Sequence, residues 1–177
     1  MKKDIHLLLL LGILVFTAGC EGSDQPLETV DSLDINQYSG TYYEVFRLPN
    51  SFEDGLSCVT ATYTVNGDKI KVTNKGYNRA KNKWETANGN AKVPNSEKPG
   101  ELKVSFFWPF SGDYFVIDRD EEYSYALVGS PSREYLWLLS RTPVVPKDQL
   151  GKMMQLAEEK GFDLSNLIMT EHFDCPE

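Results

Sequence analysis

Apolar and polar positions alternate in short runs from Gly40 onward, and clusters of turn-forming residues cut these runs at regular intervals. The first run, Tyr42-Tyr-Glu-Val-Phe46, is rich in aromatic and branched side chains, which favours an extended strand. In a strand Tyr42, Glu44 and Phe46 share one face, while Tyr43, Val45 and Arg47 share the other. Pro49-Asn50 stops the run as a turn. Upstream, residues 34–39 are polar and helical or turn-like, and Gly40 lets the backbone bend sharply into the strand. Further strands are predicted over 59–65, 69–77, 84–93, 102–108, 114–118, 123–128 and 135–140, with 84–93 interrupted at Asn88-Gly89-Asn90. Val59, Ala61, Tyr63 and Val65 alternate with threonines, and Asn66-Gly67 predicts a tight hairpin after them. Leu102, Val104, Phe106 and Trp108 fall on one face of their run. Eight strands with short connections and no helix between them predict an all-β sandwich or an antiparallel up-and-down barrel.

After Pro146 the period changes. Leu150, Met153, Met154 and Ala157 recur at helical spacing and Gly161 closes the stretch, which predicts one amphipathic helix packed on the outside of the sheet. Residues 167–173 are compatible with a last short strand, and Cys175 lies just beyond.

The opening of the chain reads differently. Lys2 and Lys3 precede an apolar run over 5–16, and small residues follow it, the layout of an export signal. The run is short for a membrane span. Phe16-Thr-Ala-Gly-Cys20 resembles the lipobox of bacterial lipoproteins. That resemblance implies a signal peptide over 1–19 and an acylated Cys20 as first mature residue, with several acyl chains giving a firm anchor. Residues 20–33 then form the lipidated cysteine and a polar tether, and 34–177 the folded domain. Glu21 is not the aspartate associated with inner-membrane retention, which directs the expectation to the outer membrane.

Charge narrows the partners. The chain carries 18 basic and 26 acidic side chains, a net charge of −8. An acidic surface argues against nucleic acid and against electrostatic docking on anionic headgroups. Of three cysteines, Cys58 and Cys175 remain once Cys20 is lipidated, and an oxidising compartment predicts their disulfide. No nucleophile elbow, phosphate loop, paired-histidine metal motif or cofactor motif occurs. The acidic run Asp118, Asp120, Glu121 and Glu122 reads as a solvated turn with Asp120 bonding local backbone. Glu44 is the one carboxylate whose register buries it, so it needs a partner.

Three short strings, taken together, carry a family resemblance. Gly40-Thr41-Tyr42, Asp120-x-x-Tyr123 and Ser140-Arg141-Thr142-Pro143 resemble, in order and spacing, the signature regions of the lipocalin family. The longer strings Tyr42-Tyr-Glu-Val-Phe-Arg-Leu-Pro-Asn-Ser-Phe-Glu53, Val104-Ser-Phe-Phe-Trp-Pro-Phe110 and Tyr135-Leu-Trp-Leu-Leu-Ser-Arg-Thr-Pro143 are similar to its bacterial branch, with apolipoprotein D as a vertebrate relative. The likeness runs from about Leu33 to the C-terminus, with Tyr42 where the family usually has tryptophan. It implies an eight-stranded calyx with the C-terminal helix outside, a floor of Gly40, Tyr42 and Arg141 with the guanidinium over the ring, and a Cys58–Cys175 bridge. On the implied registers Phe46, Phe106, Trp108, Phe115, Ile117, Tyr135, Trp137 and Leu139 line a ligand cavity. The implied ligand is a fatty acid or lysophospholipid. Two other classes stay open from the residues: a structural outer-membrane lipoprotein without a ligand, and, more remotely, a lipid-processing enzyme. Phe107, Trp108 and Phe110 around Pro109 would form an apolar patch suited to a membrane or to a homodimer.

Overall fold

The computed structural model describes residues 25–176, apart from Asp68 and Trp108. The expected signal peptide, the lipidated Cys20 and the first part of the tether lie outside the described residues. A short helix α1 (Ile35–Tyr38), N-capped by the Asp34 side chain on the backbone N–H groups of Asn36 and Gln37, leads into the sheet. Eight strands follow: β1 (Gly40–Arg47), β2 (Leu56–Asn66), β3 (Lys69–Asn78), β4 (Lys83–Lys92), β5 (Glu101–Phe107), β6 (Phe110–Arg119), β7 (Tyr125–Gly129) and β8 (Leu136–Ser140). Each pairs antiparallel with the next, and β1 pairs with both β8 and β2, so the sheet closes into an up-and-down barrel. The hairpin between β2 and β3 turns at Gly67, whose φ is +60°, the left-handed geometry that Asn-Gly favours.

One strand is more regular than its sequence suggested. β4 keeps register with β3 from Lys83 to Ala91, straight through Asn88-Gly89-Asn90. Gly89 is no breaker here. A Cβ on it would stand 2.8 Å from the Phe106 ring, so glycine admits a close approach of β5.

Helix α2 (Lys147–Glu159) lies against the outer wall. Its Met153 and Ala157, with Phe162 just after it, pack on Val45, Phe46, Ile117, Leu127, Leu136 and Leu138. The molecule therefore has two apolar clusters, one inside the barrel and one between wall and helix. Strands under the helix are apolar on both faces, so alternation alone does not say which face is inner.

β1 and β2 pair only from Gly40 to Tyr43, then diverge. A two-residue strand β9 (Ile168–Met169) takes the vacated edge of β1, opposite Arg47 and Phe46. Beyond it the Cys58 N–H donates to the Glu171 carbonyl at 2.7 Å, and Cys58 is bonded to Cys175 across 117 residues. The tail thus mends a gap in the wall and is stapled there. Replacing both cysteines (C58S with C175S) is expected to lower the unfolding free energy by up to about 4–5 kcal/mol, the chain-entropy value for so long a loop. Urea denaturation checks it.

Candidate ligand-binding site

The lower half of the barrel is a floor built around one guanidinium. Arg141 lies with its Cζ 3.7 Å from the centroid of the Tyr42 ring. Its Nη2 donates to the carbonyls of Gln37, Tyr38 and Ser39, its Nη1 to Thr41 and its Nε to Tyr123, at 2.8–3.3 Å. One side chain thus holds the end of α1, the start of β1 and the turn between β6 and β7. Gly40 makes this possible twice over: its φ is +102°, and a Cβ would come within 3.0 Å of Arg141 Nη1. Tyr42, fully buried, donates its hydroxyl to the Tyr123 carbonyl at 3.0 Å. Tyr123 has a left-handed backbone, φ 56°, and its own hydroxyl accepts from the Asp34 N–H. Asp120 accepts the Tyr125 N–H at 2.8 Å, the local backbone bond expected of it.

Above Tyr42 the floor continues as a chain of phenols. Tyr38 and Tyr63 each sit 2.7 Å from the Tyr114 hydroxyl. Burial pushes all three phenols up, Tyr63 to about 12 and the other two well above the ordinary value, so they stay neutral and exchange hydrogen bonds. Sequence reasoning missed this layer, although Tyr63 stood on the apolar side of its alternation. A phenol can face a barrel interior once another phenol satisfies it.

The walls explain which register expectations fail. Leu102, Val104 and Phe106 of β5 and Trp137 and Leu139 of β8 belong to the interior. Phe46, Phe115 and Ile117, expected inside, pack instead in the cluster beneath the helix. For Phe46 the cause is a bulge in β1: Glu44 pairs with Leu139 and Phe46 with Leu138, so the extra residue reverses the faces. In β6, Tyr114 sits opposite Leu102 and Val116 opposite Val128, which turns Tyr114 and Val116 inward. Trp108 lies outside the described residues. Tyr135 is at the rim, stacked on Trp137 with ring centroids 5.9 Å apart. Phe106 and Trp137 remain partly exposed although they pack on the interior cluster.

Because β1 reverses, Arg47 enters the interior as well. Its Nη1 donates to Glu44 Oε1 at 2.9 Å and its Nη2 to the Glu53 carbonyl at 2.9 Å. The Glu53 carboxylate accepts from Trp137 Nε1 at 2.9 Å. Thr170, on the tail, donates to Glu44 Oε1. His172 contacts the Glu44 carbonyl through Nε2 at 2.6 Å. One buried cation therefore serves two buried carboxyl groups. Burial, with the Glu53 charge nearby, raises the Glu44 carboxyl to about 8 against the opposing pull of Arg47. Glu44 thus finds structural partners, as its buried register required. Four buried atoms lack a hydrogen-bond partner among the described residues: Arg47 Nε, Asn74 Oδ1, Trp84 Nε1 and Arg119 Nε.

The model of the lipocalin-like domain matches residues 33–172, which covers barrel, floor and tail. This chain is a lipocalin. It is 47% identical over 159 residues to outer membrane lipoprotein Blc of Vibrio cholerae, covering 89% of this chain and 93% of that one. Outer membrane lipoprotein Blc of Escherichia coli K12 is 43% identical over 143 residues, 80% and 81% of the two chains. Bovine apolipoprotein D is 32% identical over 157 residues, 83% and 81% of the two chains. Insecticyanin of Manduca sexta has the same fold, with a TM-score of 0.69 at 20% identity over 85% of this chain and 86% of that one. Lipocalins are binding proteins rather than enzymes.

Two outcomes test the site's construction. Arg141→Lys retains the charge but not the fork that reaches five carbonyls, and is expected to cost about 2–4 kcal/mol in urea denaturation, since several acceptors lose their donor. Glu44 keeps its proton when folded up to about pH 8 but releases it near 4.5 in its ordinary state. Its contribution is full below the lower value and is lost as pH rises through the higher one. Glu44→Gln should remove that loss, gaining about 1–3 kcal/mol on wild type between pH 5 and pH 9, read from paired denaturation curves.

Proposed function

We propose that this lipocalin holds a single-chain lipid, a fatty acid or a lysophospholipid, in the bacterial outer membrane, where acylated Cys20 anchors it. The observation that carries the reading is the pair Phe106 and Trp137, interior side chains left partly exposed above a closed floor. Such surface suits an acyl chain, and burying about fourteen carbons gains on the order of 10 kcal/mol before ordering costs. The unpartnered Arg47 Nε and Asn74 Oδ1 offer polar atoms to a headgroup or its water. The membrane placement draws on the lipobox-like sequence and on the names of the bacterial relatives.

Titration with a fluorescent fatty acid tests it. Saturable uptake, one ligand per protein and displaced by lysophospholipid, is expected. Trp137→Arg should weaken it at least tenfold, about 1.4 kcal/mol. Absence of uptake by a protein with native circular dichroism would overturn the reading and favour a structural lipoprotein.

A further inference from the structure

The exposed apolar side chains are not scattered. Among the described residues eight large hydrophobics are exposed: Phe52, Phe107, Phe110, Tyr135, Val144, Ile168, Met169 and Phe173. All but Val144 sit at the open end. Phe52 lies in the connection after β1, Phe107 and Phe110 flank the turn between β5 and β6, and Tyr135 precedes β8. Ile168 and Met169 pair with the last residues of β1, and Arg79 in the turn after β3 lies over Phe173. Phe107 and Phe110 are 78% and 77% exposed, which is unusual for phenylalanine. Val144 follows β8 at the floor end.

The N-terminal segment reaches the same end. Asp34 is at the floor, bonded to Tyr123, and Val30 donates to the carbonyl of Val116, further up β6. At Gln25 the backbone carbonyl accepts from Arg133, two residues from Tyr135 in the rim loop between β7 and β8. Cys20 is five residues earlier, and five residues span at most ~17 Å. A ten-residue strand such as β3 covers roughly 33 Å. An anchor at Cys20 is therefore held at the rim and cannot reach the floor. The basic side chains Arg79, Lys81 and Lys83 there are matched, Arg79 facing Glu171 at 3.8 Å and Lys81 and Lys83 sharing Glu85 at 3.0 and 3.9 Å, while Asp54 and Glu134 form no ion pair among the described residues.

We infer that the aromatic rim is a membrane-docking face: the open end rests on the bilayer that holds the acyl anchor, with Phe52, Phe107 and Phe110 inserted among the lipids. The inference rests on the anchor proposed above. It makes the barrel mouth continuous with its lipid source, and the contact is apolar rather than ionic.

The acylated protein, purified from membranes and reconstituted into phosphatidylcholine vesicles, tests this. With Cys20 acylated and Cys58 bonded to Cys175, Phe52→Cys, Phe110→Cys or Val144→Cys each adds the one reactive thiol for a fluorophore. Brominated lipid should quench the labels at 52 and 110 several-fold more than the label at 144, aqueous iodide should do the reverse, and salt should change neither. Iodide access at 110 equal to that at 144, in protein that floats with the vesicles, overturns docking and leaves the anchor standing. A label at 110 shielded from both quenchers overturns it in favour of a second copy of the chain on the rim. Protein that stays in the aqueous phase removes the anchor and the docking together.

Discussion

A half-buried guanidinium with five carbonyl acceptors and an aromatic ring beneath it is the constraint on which this barrel depends. Arg141 directly follows β8, yet its bonds run to α1, to β1 and to the turn before β7. These segments are far apart in the chain and adjacent only when the sheet has closed. Neutral donors could not replace it, because no other side chain offers five N–H groups in a planar fork. The cation–π contact with Tyr42 adds roughly 0.5–2 kcal/mol. Tyrosine gives up some ring attraction relative to tryptophan, but it brings a hydroxyl that joins the same carbonyl as the arginine Nε.

Polarity is distributed along the interior in a definite order. At the base are phenols that satisfy one another. Leu102 stands opposite Tyr114 and Leu139 opposite Glu44, and the Glu44, Arg47 and Glu53 network runs from there to the mouth. The network is buried and carries one cation for two carboxyl groups, an arrangement that conserves stability only if a proton stays with it. It also joins the wall to the tail, since Thr170 and His172 both reach Glu44.

Much of this was legible in the sequence, for reasons specific to particular residues. Alternation and turn chemistry place the eight strands to within a few residues, and the spacing of Leu150, Met153 and Ala157 places the outer helix. Glycine, tyrosine and arginine at positions 40, 42 and 141 meet as the family resemblance implied. The interior registers were less accessible. A bulge leaves no trace in hydrophobic content, so Phe46 and Arg47 exchange faces without a warning in the letters. In β6 the choice between Phe115 and Tyr114 turns on whether a phenol finds a partner, which only the closed barrel supplies.

The two-residue pairing of β9 with β1 joins positions more than one hundred and twenty residues apart. β1 is the first strand to emerge during synthesis or export, and the partners of its upper half, β8 and the tail, are the last. Its edges stay unsatisfied until nearly the whole polypeptide has crossed. Contacts of such long sequence separation form late and slowly, so the upper half of β1 is completed only when the C-terminal segment is available.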